Sequence, residues 1–187
     1  LLHSSSAIGV QLDSLADVIT SGLAPAAVLW QVCLQTEPCW LPETWKLGYG
    51  VFVLAAFSAL RLAKFNIDET QTVEFCGLPT PAGSLLCASL GMLWQQGAVA
   101  LSSDGVLLIA VLTSLLLVSP IRMFALKFHG FGWRGNEVRY LFLLASIVLI
   151  IILRTYAIPV IIVLYIVVSA VRWLCMRSGN PDKAPKA

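Results

Sequence analysis

Charge is what this sequence has least of. Only 12% of its 187 residues are Asp, Glu, Lys or Arg, while 58% are hydrophobic and the mean hydropathy is +0.86. A soluble domain carries roughly a quarter charged residues, so too little polar surface remains here to cover a water-facing globule. Period-two alternation of apolar and polar residues is also missing, which argues against a membrane β-barrel. The five cysteines include no C-x-x-C pair, and neither histidine stands at zinc-ligand spacing. Cys33, Cys76, Cys87 and Cys175 read as small hydrophobes in or beside helices, and a Cys33–Cys39 bridge requires that end to face an oxidising compartment. No signal peptide is visible, because Ser4, Ser5, Ser6 and Asp13 interrupt the first apolar stretch. A net charge of +2 says nothing in favour of nucleic acid. Internal repeats and a second domain are likewise missing.

What is present is a succession of apolar runs long enough to cross about 30 Å of hydrocarbon. They predict an all-α fold, a polytopic transmembrane helix bundle of about six membrane helices over residues 9–35, 46–65, 81–101, 105–128, 137–153 and 156–176, with Pro120 kinking the fourth. Residues 1–177 form the membrane domain, and the Pro-, Lys- and Ala-rich residues 178–187 are expected to be a disordered cytoplasmic tail.

Six alternating crossings sort the cations. One side receives Arg61, Lys64, Arg122, Lys127, Arg134, Arg139, Arg172, Arg177, Lys183 and Lys186, and the other only Lys46 and Arg154. Positive charge stays inside, so the cation-rich side, where the first helix begins, is assigned to the cytoplasm. Trp40 and Trp45 on one side, with Trp133 and Trp173 on the other, suit interfacial belts.

Two carboxylates near the start of the first helix are the sharpest chemical signal. Asp13 and Asp17 are four residues apart, hence on one helical face, in a stripe Gly9, Asp13, Asp17, Ser21. Acids inside a membrane segment are expensive and line a polar cavity or bind something. Hard oxygen ligands suit Mg²⁺ or Mn²⁺ at a phosphate-transfer site. The alternative is an ordinary helix start, with the acids in favourable contact with the helix dipole.

The stretch G-V-Q-L-D-S-L-A-D, residues 9–17, resembles the second half of the signature of the CDP-alcohol phosphatidyltransferase family, D-x-x-D-G-x-x-A-R-x8-G-x3-D-x3-D. Residues 1–8 fill the spacer between its arginine and Gly9, so two further aspartates, a glycine and that arginine are expected just upstream of Leu1. The fragment alone is expected to be inactive. Within the family, D-S-L-A-D-V-I, R-L-A-K-F-N (residues 61–66), G-L-P-T-P-A-G (77–83) and S-P-I-R-M-F-A-L-K-F (119–128) resemble the membrane-embedded bacterial phosphatidylserine synthases. Lys64 stands where arginine is common there, which keeps the charge and loses the planar fork.

The resemblance implies a divalent-metal enzyme of the bacterial inner membrane, with its active site facing the cytoplasm, that moves a phosphatidyl group from CDP-diacylglycerol to serine. Asp13 would be a shared metal ligand, and Asp17 a metal ligand and the general base. Ser6 would contact the CDP moiety and Gly9 would let the nucleotide lie close. Homodimers occur in the family. Arg61, Lys64, Arg122 and Lys127 are candidates for the lipid phosphate and the serine carboxylate, against a bland role as snorkelling anchors at anionic headgroups. Asn66 is a candidate for substrate bonding or helix capping, and Thr80 for the acceptor site. Gly77, Pro79, Pro81 and Gly83 read as loop-shaping residues. Two rivals stand beside this reading. One is a sister enzyme using glycerol 3-phosphate or inositol phosphate, which would want a stronger cationic pocket. The other is a small transporter, which would want ionisable groups near the bilayer middle.

Overall fold

The computed structural model describes residues 7–40, 47–67, 74–124 and 136–179. Helix α1 (Ala7–Val18) passes through one π-helical turn (Ile19–Leu23) into α2 (Ala24–Gln35). Pro25, second residue of α2, has no N–H and cannot continue the regular ladder. The neighbouring Ala24 N–H accordingly bonds Ile19 O, five residues back rather than four. A 3₁₀ turn, Leu47–Phe52, leads into α3 (Val53–Ile67). Strand β1 (Glu74–Cys76) precedes α4 (Thr80–Gln95) and α5 (Ser103–Leu117). Strand β2 (Arg122–Phe124) pairs antiparallel with β1, with Phe75 opposite Met123 and Cys76 opposite Arg122. Helices α6 (Glu137–Leu153) and α7 (Ala157–Gly179) complete the described chain.

All six helical segments expected from the sequence are helices, but two ends differ. The third stops at Gln95, not near residue 101. Gly97 adopts φ +68°, its N–H bonds Trp94 O, and the Ala98 N–H bonds Leu93 O, the Schellman arrangement that closes a helix. The fourth stops at Leu117, not near residue 128, so Pro120 ends the helix instead of kinking it. Leu116 O then accepts from Leu78 N (2.9 Å) and from Ser119 N and Oγ, and the chain leaves as β2. Arg122 therefore stands on a strand, not at a helix end. The tail expected at 178–187 lies outside the described residues beyond Gly179, which still belongs to α7.

Three stretches are long and apolar enough to cross a membrane: Gln11–Gln35, Gly48–Ile67 and Glu137–Met176. The last is divided at Arg154 (φ +47°), where α6 and α7 fold back on each other and bring Phe142 beside Tyr165, ring centroids 5.9 Å apart. Helices α4 and α5, of 16 and 15 residues, are shorter. The protein is a helical membrane bundle, and its outward faces fit that setting: Leu141, Leu144, Ile147 and Ile151 of α6 are all exposed.

The core lies where α2 packs on α4 and α5, and α3 on α5. Leu29, Val51, Leu54, Leu78, Leu93, Val106 and Leu117 fill it, all essentially without solvent contact. Phe124 extends it by edge-on contacts to Phe142 and Tyr165 (centroids 5.7 and 5.0 Å).

One buried acid fastens the end of the bundle opposite the start of α1. Ser102 caps α5, its Oγ accepting from Gly105 N (3.3 Å). Asp104, in the first turn, accepts from Cys39 N (3.0 Å) and Trp40 N (2.8 Å), tying the segment after α2 to α5. Cys33 and Cys39 are both free, and the Cys33 thiol donates to Ser103 O (3.5 Å). Burial pushes the Asp104 carboxyl up, but the bonds from Ser102, Cys39 and Trp40 outweigh it and hold the group at about 2. A carboxyl held below its unfolded value of about 3.9 stabilises the fold above that value and loses the contribution as pH falls toward 2. Asp104→Ala should therefore lower the melting temperature of the detergent-solubilised protein by several degrees at pH 7. The gap to wild type should narrow steadily between about pH 4 and pH 2. A gap independent of pH would refute the assignment.

Candidate active site

The candidate site forms at the end of the bundle where α1 begins, α3 ends and α4 begins. Its floor is a close helix–helix approach. The π-helical turn packs against α3 and α4, and Gly22 is buried within it. A Cβ on Gly22 would lie 2.9 Å from Ser58 Cβ and 3.2 Å from Ala55 Cα, so only glycine lets the two backbones come this near.

That approach sets α1 beside α3. Asn66, near the end of α3, donates from Nδ2 to Ser14 Oγ (2.8 Å), on the turn between the two aspartates. The residue ties two helices together. Along the expected stripe, Gly9 and Asp13 are exposed while Asp17 and Ser21 are half-buried, so the stripe descends into the bundle. The π turn begins after Asp17, and the widened turn carries Ser21 off the straight α-helical line. Thr20 Oγ donates to Ala16 O (3.0 Å) just ahead of it.

Arg61 is the one cation that α3 buries, at 8% exposure. Its Nη1 donates to Thr80 Oγ1 (2.5 Å), and the guanidinium lies within Coulombic range of Asp17 and Tyr165. Lys64, one turn on, is exposed and does not share this environment. Arg122 is half-buried on β2. Ser6 and Lys127 lie outside the described residues. Thr80, at 1% exposure, faces Arg61 from the first turn of α4. The loop before it is fixed by Gly77 at φ +77°, where a Cβ would lie 2.2 Å from Leu117 O, and by Gly77 N donating to Ile121 O (2.9 Å). The expected loop-shaping role of Gly77 is thus met in full.

Sequence reasoning missed Gly22, Ser58 and Tyr165. A glycine three residues before a proline inside an apolar run was the available sign of a distorted helix and a close contact. Nothing local in the sequence marks Ser58 or Tyr165, because their importance comes from neighbours on other helices.

Asp13 and Asp17 offer hard carboxylate oxygens one turn apart, the right donor type for Mg²⁺ or Mn²⁺. Such an ion takes about six oxygen ligands, so the pair fits as part of a set rather than a whole one. Among the described residues no three His, Cys, Asp or Glu side chains come together to complete it.

The fold and this end of the bundle define a class. Residues 1–125 match the CDP-alcohol phosphatidyltransferase family, and the chain belongs to it. Among its curated relatives are proteins named CDP-diacylglycerol–serine O-phosphatidyltransferase. The one from Bacillus subtilis is 30% identical over 69% of this chain and 66% of its own length. That from Mycobacterium leprae is 39% identical over 66% of this chain and 42% of its own length. That from Mycobacterium tuberculosis is 32% identical over the whole of this chain and 68% of its own. The chain thus spans from under half to about two thirds of the length of these relatives.

The Gly22 contact yields a direct test. Gly22→Ala should destabilise the protein by about 1–3 kcal/mol, the cost of overpacking, and adding Ser58→Gly should restore part of that loss. Thermal unfolding of the single and double variants measures it; a double variant no more stable than Gly22→Ala would show that Ser58 is not the obstacle.

Proposed function

We propose that the protein transfers a phosphatidyl group from CDP-diacylglycerol to L-serine, giving phosphatidylserine and CMP. The observation that carries this is the buried Arg61, within electrostatic range of Asp17 at one end of a membrane bundle, in a chain whose relatives bear that enzymatic name. The setting we infer is the bacterial inner membrane, with six crossings and the site on the cytoplasmic face. The one-sided distribution of Lys and Arg supports it. A homodimer is the assembly that the family resemblance implies.

The chemistry asked of these residues is modest and specific. A serine hydroxyl is a weak nucleophile, so Asp17 takes its proton as the oxygen bonds to the β-phosphorus of the CDP-lipid. The bond from that phosphorus to the bridging oxygen breaks, and CMP departs with the electron pair while the phosphorus keeps its lipid. A divalent ion, Mg²⁺ or Mn²⁺, held in part by Asp13 and Asp17, would supply the charge neutralisation that the pyrophosphate needs. Gly9 leaves room for the nucleotide beside α1, and Ser6 contacts the CDP moiety. Arg61, Lys64, Arg122 and Lys127 are assigned to the anionic oxygens of the lipid phosphate and the serine carboxylate, Arg61 foremost because it is buried and within electrostatic range of Asp17.

Purified intact protein given CDP-diacylglycerol, Mn²⁺ and labelled acceptors should incorporate serine in preference to glycerol 3-phosphate or inositol phosphate. Preferred incorporation of either phosphate-bearing acceptor would overturn the choice of serine. Asp17→Asn should lower turnover by about 10²-fold or more, the usual worth of a general base, with little change in thermal stability. Near-wild-type turnover in that variant would sink the base assignment. Asp13→Asn should raise the metal concentration needed for half-maximal activity or abolish CDP-lipid binding.

A further inference from the structure

We propose that Thr80 is a positioning residue: its hydroxyl fixes the Arg61 guanidinium so that the donors left free grip paired anionic oxygens of a substrate. The inference rests on the phosphatidyl-transfer reading above. Arg61 and Thr80 are both buried, and the Nη1–Oγ1 bond joins α3 to the first turn of α4. Arg61 Nε is buried too and has no hydrogen-bond partner among the described residues. A guanidinium is a rigid planar fork of five N–H donors, so fixing one nitrogen fixes the direction of the others. A buried charge with one neutral partner is an expensive arrangement, and a group left unsatisfied in this way calls for an explanation. A ligand that completes it is the explanation with a geometric basis here, because the unused edge of the fork is the one suited to a carboxylate or phosphate.

Thr80 is suited to the role because its conformation is constrained. It is β-branched, which restricts its first side-chain torsion, and it stands between Pro79 and Pro81, whose rings fix the local backbone. The N–H groups of Ala82 and Gly83 close the first turn of α4 onto Pro79 O (2.9 and 3.2 Å). Behind it, Leu78 N and Gly77 N anchor the loop on Leu116 O and Ile121 O. Arg61 is a long side chain with many rotamers, and the bond to this hydroxyl restricts them. Tyr165, whose OH donates to Phe124 O (3.0 Å), and the Asp17 carboxylate are the other groups in electrostatic reach of the guanidinium. The paired oxygens come from either of two sources, the acceptor's carboxylate or the donor's phosphate.

Steady-state kinetics of the intact protein in mixed micelles separate the possibilities, using Thr80→Val, Thr80→Ser and Arg61→Lys. Thr80→Val should raise KM for one substrate about tenfold, the effect of losing a hydrogen bond to a charged group, with KM for the other within about twofold. Thr80→Ser, which keeps the hydroxyl, should behave as wild type, and Thr80→Val should add nothing to Arg61→Lys. A raised KM for serine assigns the acceptor's carboxylate; a raised KM for CDP-diacylglycerol assigns the donor's phosphate. Unchanged KM values, an equal rise in both, failure of Thr80→Ser to rescue, or full additivity with Arg61→Lys overturns the proposal. Should Thr80→Val not fold, Thr80→Ala removes the same hydroxyl. The underlying reading is tested separately by the wild-type protein. If it transfers to no acceptor, that reading fails, and Thr80 is then judged by thermal stabilisation with CDP-diacylglycerol or serine. Stabilisation of wild type but not of Thr80→Val by one of them supports positioning; equal stabilisation, or none of either protein, overturns it.

Discussion

The close approach of the π-helical turn to α3 at Gly22 is the constraint on which the site depends. The backbones meet so nearly that a single methyl group at Gly22 would collide with Ser58. Pro25 forces the turn to widen by denying it one N–H, and the widened turn packs against both α3 and α4. Asp17 sits two residues before this distortion begins. Its proximity to Arg61 follows from how tightly the two helices close, so the electrostatics of the site rest on a packing contact that carries no charge.

A second feature is how unevenly the buried polar groups of the bundle are satisfied. At the opposite end Asp104 accepts two backbone N–H bonds and Ser102 caps its helix. Near the site Arg61 Nε and Ser58 Oγ are buried without partners among the described residues, as are Trp30 Nε1 and Ser169 Oγ elsewhere in the bundle. Fully satisfied buried polar groups hold a structure in one arrangement, whereas unsatisfied ones are costly and persist where something else is gained. At the site end the β1–β2 pair, with the Phe124, Phe142 and Tyr165 cluster, binds the α6–α7 hairpin to the rest.

The helical segments were legible because apolar length and turn residues act locally. The misjudged ends were those decided by backbone conformation: the left-handed Gly97 that closes α4, and the carbonyl of Leu116 that the loop at Leu78 satisfies. Asp13 and Asp17 were legible as a pair because four-residue spacing fixes a helical face. Arg61 was legible as a cation inside an apolar run, but its separation from Lys64 was not. Three residues along a helix turn one side chain toward α4 and leave the other exposed, and only the neighbour decides which.

By itself, the sequence determined that this chain is a helical membrane bundle with two acids on one face of its first helix, because hydropathy and helical period are properties of consecutive residues. The tertiary structure alone decided that Asp17 lies within electrostatic range of Arg61, that Thr80 bonds that arginine, and that Gly22 lets the two helices approach. Those are contacts between helices far apart along the chain, set by how closely the backbones approach, and no local pattern of residues encodes that distance.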